Sequence, residues 1–445
     1  MKQEKLDFNQ VSKYLDDKLI LGIQPSLLRI NKILELMDNP NRDIDYIHVV
    51  GTNGKTSTAI ILASILKTLG FKTAYHISPK IESYTERIWL DGDLISEEKF
   101  TRSFNRMYPY IEKVNRLDLG GPITQFETVS ALAFMIVRDE GMQVMVLEAG
   151  MGGRWDATNV ADACVTGLTG VSLEHTEILG ETIEEITREK VEVIKKGARA
   201  ATISTERKVL EIFKEKAEKM GAEQYLYGKD FDITGKRMLG INGWEVDLKG
   251  IYGYYPAIRL PLMGDYQPLN LSLAVCLAEL YTDIKDKKLD PSQLKESLSD
   301  IYVKGRFEIL KEDPIVIADA SHNLESIEKF CHTIKEYFWD RKKTVIFAVL
   351  SDKDYPRMIE VISDVADRLI FTSSENSRSL ELRDLKKEFV SIMDNRQDIS
   401  KVPDEVYTID TVKNSLNYAL KISDTSDIIC ITGSITNLEH LDIKM

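Results

Sequence analysis

The segment His48-Val49-Val50-Gly51-Thr52-Asn53-Gly54-Lys55-Thr56-Ser57 constrains this chain more than any other ten residues. An apolar strand runs into a glycine turn that opens a helix. Such a turn lets backbone N–H groups close around phosphate oxygens, and the helix N-terminus adds positive potential. Lys55 is placed to reach terminal phosphates and the Thr56 hydroxyl to touch Mg²⁺, as in the phosphate loop G-x-x-x-x-G-K-[ST]. The match is incomplete, because Val49 stands where the first glycine belongs. The bland reading, a glycine turn followed by an exposed lysine, fits the strand–turn–helix context less well.

A strand that feeds a phosphate loop belongs in a parallel sheet, and the flanking pattern agrees. Strands are expected over 46–50, 144–147, 163–168 and 200–203, with helices near 25–37, 55–69, 128–137, 268–281 and 291–301. Residues 230–260 read instead as antiparallel hairpins. A second α/β run begins near Arg306, with strands expected over 315–318, 344–349, 368–371 and 428–431. At 445 residues the chain exceeds one ordinary core. The boundary is placed at residue 301, giving domains 1–301 and 302–445.

Several function classes drop out. A net charge of −13 argues against a general nucleic-acid binder. No apolar run approaches the ~20 residues of a membrane helix, and the first residues lack a secretory signal, so a cytoplasmic enzyme with no membrane partner is expected. Cys164, Cys276, Cys331 and Cys430 are widely spaced, which excludes a zinc ribbon or disulfide scaffold.

Two further groups can be argued from their surroundings. Glu148 ends an apolar strand and precedes a glycine-rich run, where an acid can hold Mg²⁺ beside the phosphate loop or serve as a turn or cap residue. Thr182 and Glu185 form a capping-box pattern, and Ile183, Ile186, Val193 and Ile194 mark one face of the helix that follows. Lys190 falls on that stripe. A buried ammonium is costly and loses its proton easily. The neutral amine can add CO₂ to become a carbamate, the alternative being a lysine that snorkels at the stripe's edge.

In their order along the chain, these motifs resemble the folylpolyglutamate/dihydrofolate synthase branch of the Mur ligase superfamily. Gly51-Thr52-Asn53-Gly54-Lys55 looks like that family's loop, although the family usually has Gly where Thr56 stands. The run Glu148 to Asn159 resembles Glu-Val-Gly-Leu-Gly-Gly-Arg-Leu-Asp-Ala-Thr-Asn, departing at Ala149, Met151 and Trp155. Val303-Lys304-Gly305-Arg306-Phe307-Glu308 resembles Trp-Pro-Gly-Arg-Leu-Glu, and Asp319-Ala320-Ser321-His322-Asn323 resembles Asp-Gly-Ala-His-Asn. The likeness runs from Leu21-Gly22 to Gly433-Ser434.

The resemblance implies an N-terminal P-loop Mur-ligase-type ATPase domain and a smaller C-terminal Rossmann-like α/β domain that binds the amino acid. It implies a monomer and an ATP-dependent ligase that joins glutamate to a pterin or folate-type carboxylate through an acyl phosphate. Another carboxylate acceptor or amino acid is the alternative. ATP would be held by Thr52, Asn53, Gly54, Lys55, Thr56, Asn270, Arg306 and Asp319, with Arg306 reaching the phosphates as the C-terminal domain closes. Mg²⁺ would be held by Thr56, Ser78, Glu148 and His175. The acceptor would meet Thr124, Gln125, Phe126, Glu127, Trp155 and Ala157, while His322 and Asn323 would lie at the domain cleft. Lys55, His175 and Lys190 would be catalytic, Lys190 as N6-carboxylysine.

Overall fold

The computed structural model describes residues 5–21, 25–374, 376, 378–395, 402–439 and 441; Gly22, near the start of the family likeness, lies outside them. The chain divides into two compact units. One comprises Met1–Arg237, Glu245–Leu260 and Pro268–Ile301, the other Met238–Trp244, Pro261–Gln267 and Tyr302–Met445. Among the described residues, no helix is long and apolar enough to cross a membrane.

The first unit is built on strands β1 (Asp45–Val50), β2 (Thr73–His76), β3 (Ile88–Leu90), β4 (Asp93–Leu94), β5 (Val144–Glu148), β6 (Ala163–Leu168), β7 (Arg199–Thr202) and β8 (Glu223–Leu226). Their order is β4-β3-β2-β5-β1-β6-β7-β8. From β2 to β8 every pairing is parallel, and β3 and β4 add an antiparallel edge. Ile47, Val49 and Val50 are buried, as expected of a strand covered on both faces. Val49 pairs with Glu148 and Val50 with Leu168. That register brings the phosphate loop, Glu148 and Thr169 to the same carboxyl edge, where parallel sheets bind ligands. The helix Lys55–Thr68 leaves the loop and buries Ala59, Ile61, Leu62, Ile65 and Leu66. Phe100, Phe104, Leu132, Phe134 and Leu147 fill the core on one face of the sheet.

A three-stranded sheet of β9 (Asp232–Met238), β10 (Trp244–Lys249) and β11 (Tyr254–Leu260) occupies the expected hairpin region. The second unit holds β12 (Glu308–Glu312), β13 (Ile315–Ala318), β14 (Lys343–Phe347), β15 (Arg368–Ser373), β16 (Glu405–Thr411) and β17 (Ile428–Thr432), ordered β12-β13-β17-β14-β15-β16. The sequence reading missed β12 and β16, the two edge strands. Both are half-exposed and carry few contiguous apolar residues.

One local expectation is corrected. The helix after Thr182 does open on the Thr182/Glu185 capping box, but it ends at Lys190. Val191–Val193 form a 3₁₀ turn and Ile194 is extended, so Lys190 and Ile194 do not share a helical turn. The β-branched side chains of Val191, Val193 and Ile194 pack on Ala149, Leu168 and Ala200 instead.

Candidate active site

The phosphate loop takes its shape from two glycines. Gly54 caps the helix at φ +87°, and a Cβ there would strike the side-chain amide oxygen of Asn270. At Gly51 a Cβ would run into the Thr169 hydroxyl. Thr52 is tied at both ends, its N–H donating to Gly170 O at 2.8 Å and its hydroxyl to Ser172 O at 3.3 Å. Lys55 folds back so that Nζ donates to Thr52 O at 2.8 Å. Asn270 therefore lies beside the loop, as expected.

Glu148 holds Thr56 and Ser78 of its expected companions directly. Thr56 Oγ1 donates to its Oε1 at 2.9 Å and the Ser78 N–H to its Oε2 at 3.1 Å. His175 caps the short helix Thr176–Leu179 in a left-handed conformation, with Nε2 3.9 Å from Glu174. Among the described residues no three His, Cys, Asp or Glu side chains converge as a metal cage. Hydroxyl and carboxylate oxygens beside a phosphate loop suit Mg²⁺, which takes one or two carboxylates and fills its remaining positions with water and phosphate.

Lys190 is 3% exposed. Its Nζ donates to Gly51 O at 2.7 Å, so it reaches the phosphate loop. Burial first, and the charge of Lys55 second, pull its amine down to about 7, with Glu174 and Asp156 opposing. The ammonium and the neutral amine are thus both present in neutral solution.

A buried network that the sequence reading did not identify holds the glycine-rich run after Glu148. Asp156 accepts from the N–H groups of Met151 (2.8 Å) and Thr158 (2.9 Å), and also from the Thr158 hydroxyl. Thr158 Oγ1 in turn meets His48 Nε2 at 2.8 Å. Burial lowers His48 to about 3, leaving the ring neutral.

The expected acceptor residues divide. Thr124 and Glu127 form a reciprocal capping box at the start of helix Gln125–Asp139, and Glu127 also pairs with buried Arg29 at 3.0 Å. Phe126 stacks under the Arg87 guanidinium, 5.1 Å from ring centroid to carbon, and presses on Gly150. Trp155 is half-exposed and lines a cavity of about 460 Å³ with Gly152, Arg154, Ile178, Leu179 and Arg188. Ala157 is buried. Glu127→Ala removes the carboxylate partner of Arg29 and the helix cap together. We expect a loss of about 3 kcal/mol in urea unfolding.

In the second unit, Asp319 and Arg306 are neighbours. Asp319 accepts from the N–H groups of Phe307 (3.0 Å) and Ser321 (2.9 Å) and from the Ser321 hydroxyl. Burial raises its carboxyl while the Arg306 charge opposes. His322 Nδ1 meets Ala320 O at 2.9 Å, and Asn323 caps helix Leu324–Tyr337 by accepting from Ser326 N–H at 2.9 Å.

Comparison with known proteins agrees with this architecture. Residues 49–278 match the Mur ligase middle domain, and residues 305–435 match the Mur ligase, glutamate ligase domain. The chain is 30% identical over 429 residues to the dihydrofolate synthase/folylpolyglutamate synthase of Bacillus subtilis, covering 96% of each. It is 30% identical over 332 residues to the folylpolyglutamate synthase of Lacticaseibacillus casei, covering 75% of this chain and 77% of that one. Among solved structures, Mycobacterium tuberculosis folylpolyglutamate synthase complexed with ADP and AMPPCP superposes with a TM-score of 0.87 at 28% identity. That match covers 97% of this chain and 96% of that one.

Proposed function

Since the chain belongs to the folylpolyglutamate and dihydrofolate synthase family of Mur ligases, we propose that it uses ATP to join glutamate to a folate-type carboxylate, dihydropteroate or tetrahydrofolate. The observation that carries this reading is the convergence of Lys190, Lys55 and the Thr56–Glu148–Ser78 group on one glycine loop.

The backbone N–H groups of Thr52 to Gly54 cradle the nucleotide phosphates, and Lys55 exchanges the Thr52 carbonyl for a terminal phosphate oxygen. Thr56, Ser78 and Glu148 would hold Mg²⁺, with His175 as a further ligand. When bound, the ion neutralises charge on the phosphate oxygens. The acceptor carboxylate attacks the γ-phosphorus, ADP leaves, and an acyl phosphate results. The glutamate amine then attacks the acyl carbon, and phosphate departs from the tetrahedral intermediate. The Lys55 ammonium offsets the charge that develops in both steps.

Lys190 serves as its carbamate. The neutral amine adds CO₂ with loss of a proton and keeps one N–H for Gly51 O. Asn270, Arg306 and Asp319 contact the nucleotide, and Arg306 offers a planar fork to phosphate. Phe126, Trp155 and Ala157 receive the acceptor, with Thr124, Gln125 and Glu127 fixing the helix start beside it. His322 and Asn323 receive the amino acid.

Incubation of the purified protein with ATP, Mg²⁺, L-glutamate and either dihydropteroate or tetrahydrofolate tests the assignment. Phosphate release that requires both glutamate and the pterin compound is expected, with a product heavier by one glutamyl residue. Release that ignores glutamate would point to a simple nucleotide hydrolase. Release only with a different carboxylate would overturn the acceptor.

A further inference from the structure

Arg87 joins three segments that the reaction uses. It follows the loop after Ser78 and is 2% exposed. Its main-chain carbonyl accepts from the Ile77 N–H at 3.1 Å and meets His76 Nδ1 at 3.1 Å, while its own Nε donates to Ile77 O at 3.0 Å. Backbone and guanidinium therefore grip the residue next to Ser78 from both sides, and the Ser78 N–H rests on Glu148. The guanidinium also lies on the Phe126 ring. Gly150 lies against the edge of that ring, where a Cβ would come within 2.6 Å of Phe126 Cζ. The charges of Glu148 and Asp156 both act on the guanidinium.

A role in folding alone does not account for this residue. Its Nη2 is buried with no hydrogen-bond partner among the described residues. A buried donor left unmet destabilises, and an apolar side chain of similar length would cover Phe126 without that penalty. Planarity and charge are retained where a flat ring and two carboxylates must be held in register.

We propose that Arg87 is a positioning residue of the ligation, holding the Ser78 loop and the Phe126 ring in register with Glu148 so that the acceptor carboxylate meets the phosphate to be transferred. This rests on the ligase reading above. Acceptor- and glutamate-dependent ADP release by the wild-type protein checks that reading first and separately.

Arg87→Met and Arg87→Lys are then compared with wild type in steady-state kinetics, ADP-analogue binding and thermal melting. In Arg87→Met, kcat/KM for the acceptor should fall about 100-fold, the scale of a small misplacement of reacting groups, with ADP-analogue affinity unchanged. Arg87→Lys keeps the charge but not the planar stack. It should restore part of kcat and leave the acceptor KM raised. If Arg87→Met does not fold, Arg87→Lys decides: a raised acceptor KM supports the proposal and a wild-type value overturns it. Equal losses toward nucleotide and acceptor that track the melting temperature would also overturn it.

Discussion

Replacement of Lys190 by alanine is expected to lower turnover on the order of 10³-fold, the scale set by removing one preorganised charged group from a transition state. Nucleotide affinity should be nearly intact. The asymmetry follows from what the side chain touches. Among the described residues Lys190 hydrogen-bonds to the phosphate loop at Gly51 O, whereas the loop's shape comes from its glycines and from the ties of Thr52 to Gly170 and Ser172. The expected pH dependence has a definite sign. Burial and the Lys55 charge depress the Lys190 amine from its ordinary 10.5 to about 7. The neutral form that adds CO₂ is therefore present above pH 7 and is lost as pH falls through that value. In CO₂-free buffer no carbamate forms and activity should fall at every pH, and bicarbonate should restore it above pH 7 and progressively less as pH drops through that value. Single-turnover phosphate release with a separate ADP-binding titration makes the measurement. A fully active Lys190→Ala enzyme would end the role given to this residue.

Burial of Lys190 was legible in the sequence for a partly mistaken reason. The apolar stripe of Ile183 and Ile186 does turn the lysine inward, yet the helix stops before Val193 and Ile194. Short β-branched runs read alike as helix face or as core-facing turn, and only tertiary packing separates them. The phosphate loop and the acid at the end of β5 were readable because each is bounded by a strand and glycines, so a few residues fix their geometry. Arg87, Asp156 and His48 were not. Arg87 and His48 act through partners distant in sequence, Phe126 and Thr158, and no spacing rule joins such pairs, while the local bond of Asp156 to the Met151 N–H belongs to no standard turn or cap pattern. Thr124 and Glu127 show the converse limit. Their four-residue pattern is a capping box in any protein, and what Glu127 adds is a buried partner for Arg29, 98 positions away.

Gly51→Ala should remove nucleotide binding itself, which separates it from Lys190→Ala. The backbone at Gly51 has φ +152°, a region side chains rarely adopt, and an alanine Cβ would run into Thr169 Oγ1 and lie 2.9 Å from Thr169 Cβ. Thr169 cannot retreat easily. Its N–H donates to Val50 O at 2.8 Å, the residue just before the loop. The clash must therefore be relieved by the loop, which carries with it the carbonyl that receives Lys190 and the amides of Thr52 and Asn53. A loss on the order of 10³-fold in kcat/KM for ATP is expected, with the far-ultraviolet circular dichroism retained because the change falls beyond the end of β1. Adding Thr169→Ala takes away the hydroxyl but neither its Cβ nor the unfavourable φ, so it should recover part of the loss and no more. Such non-additivity is the mark of two residues sharing one space. Wild-type ADP affinity in Gly51→Ala would mean that the nucleotide is held somewhere other than this loop.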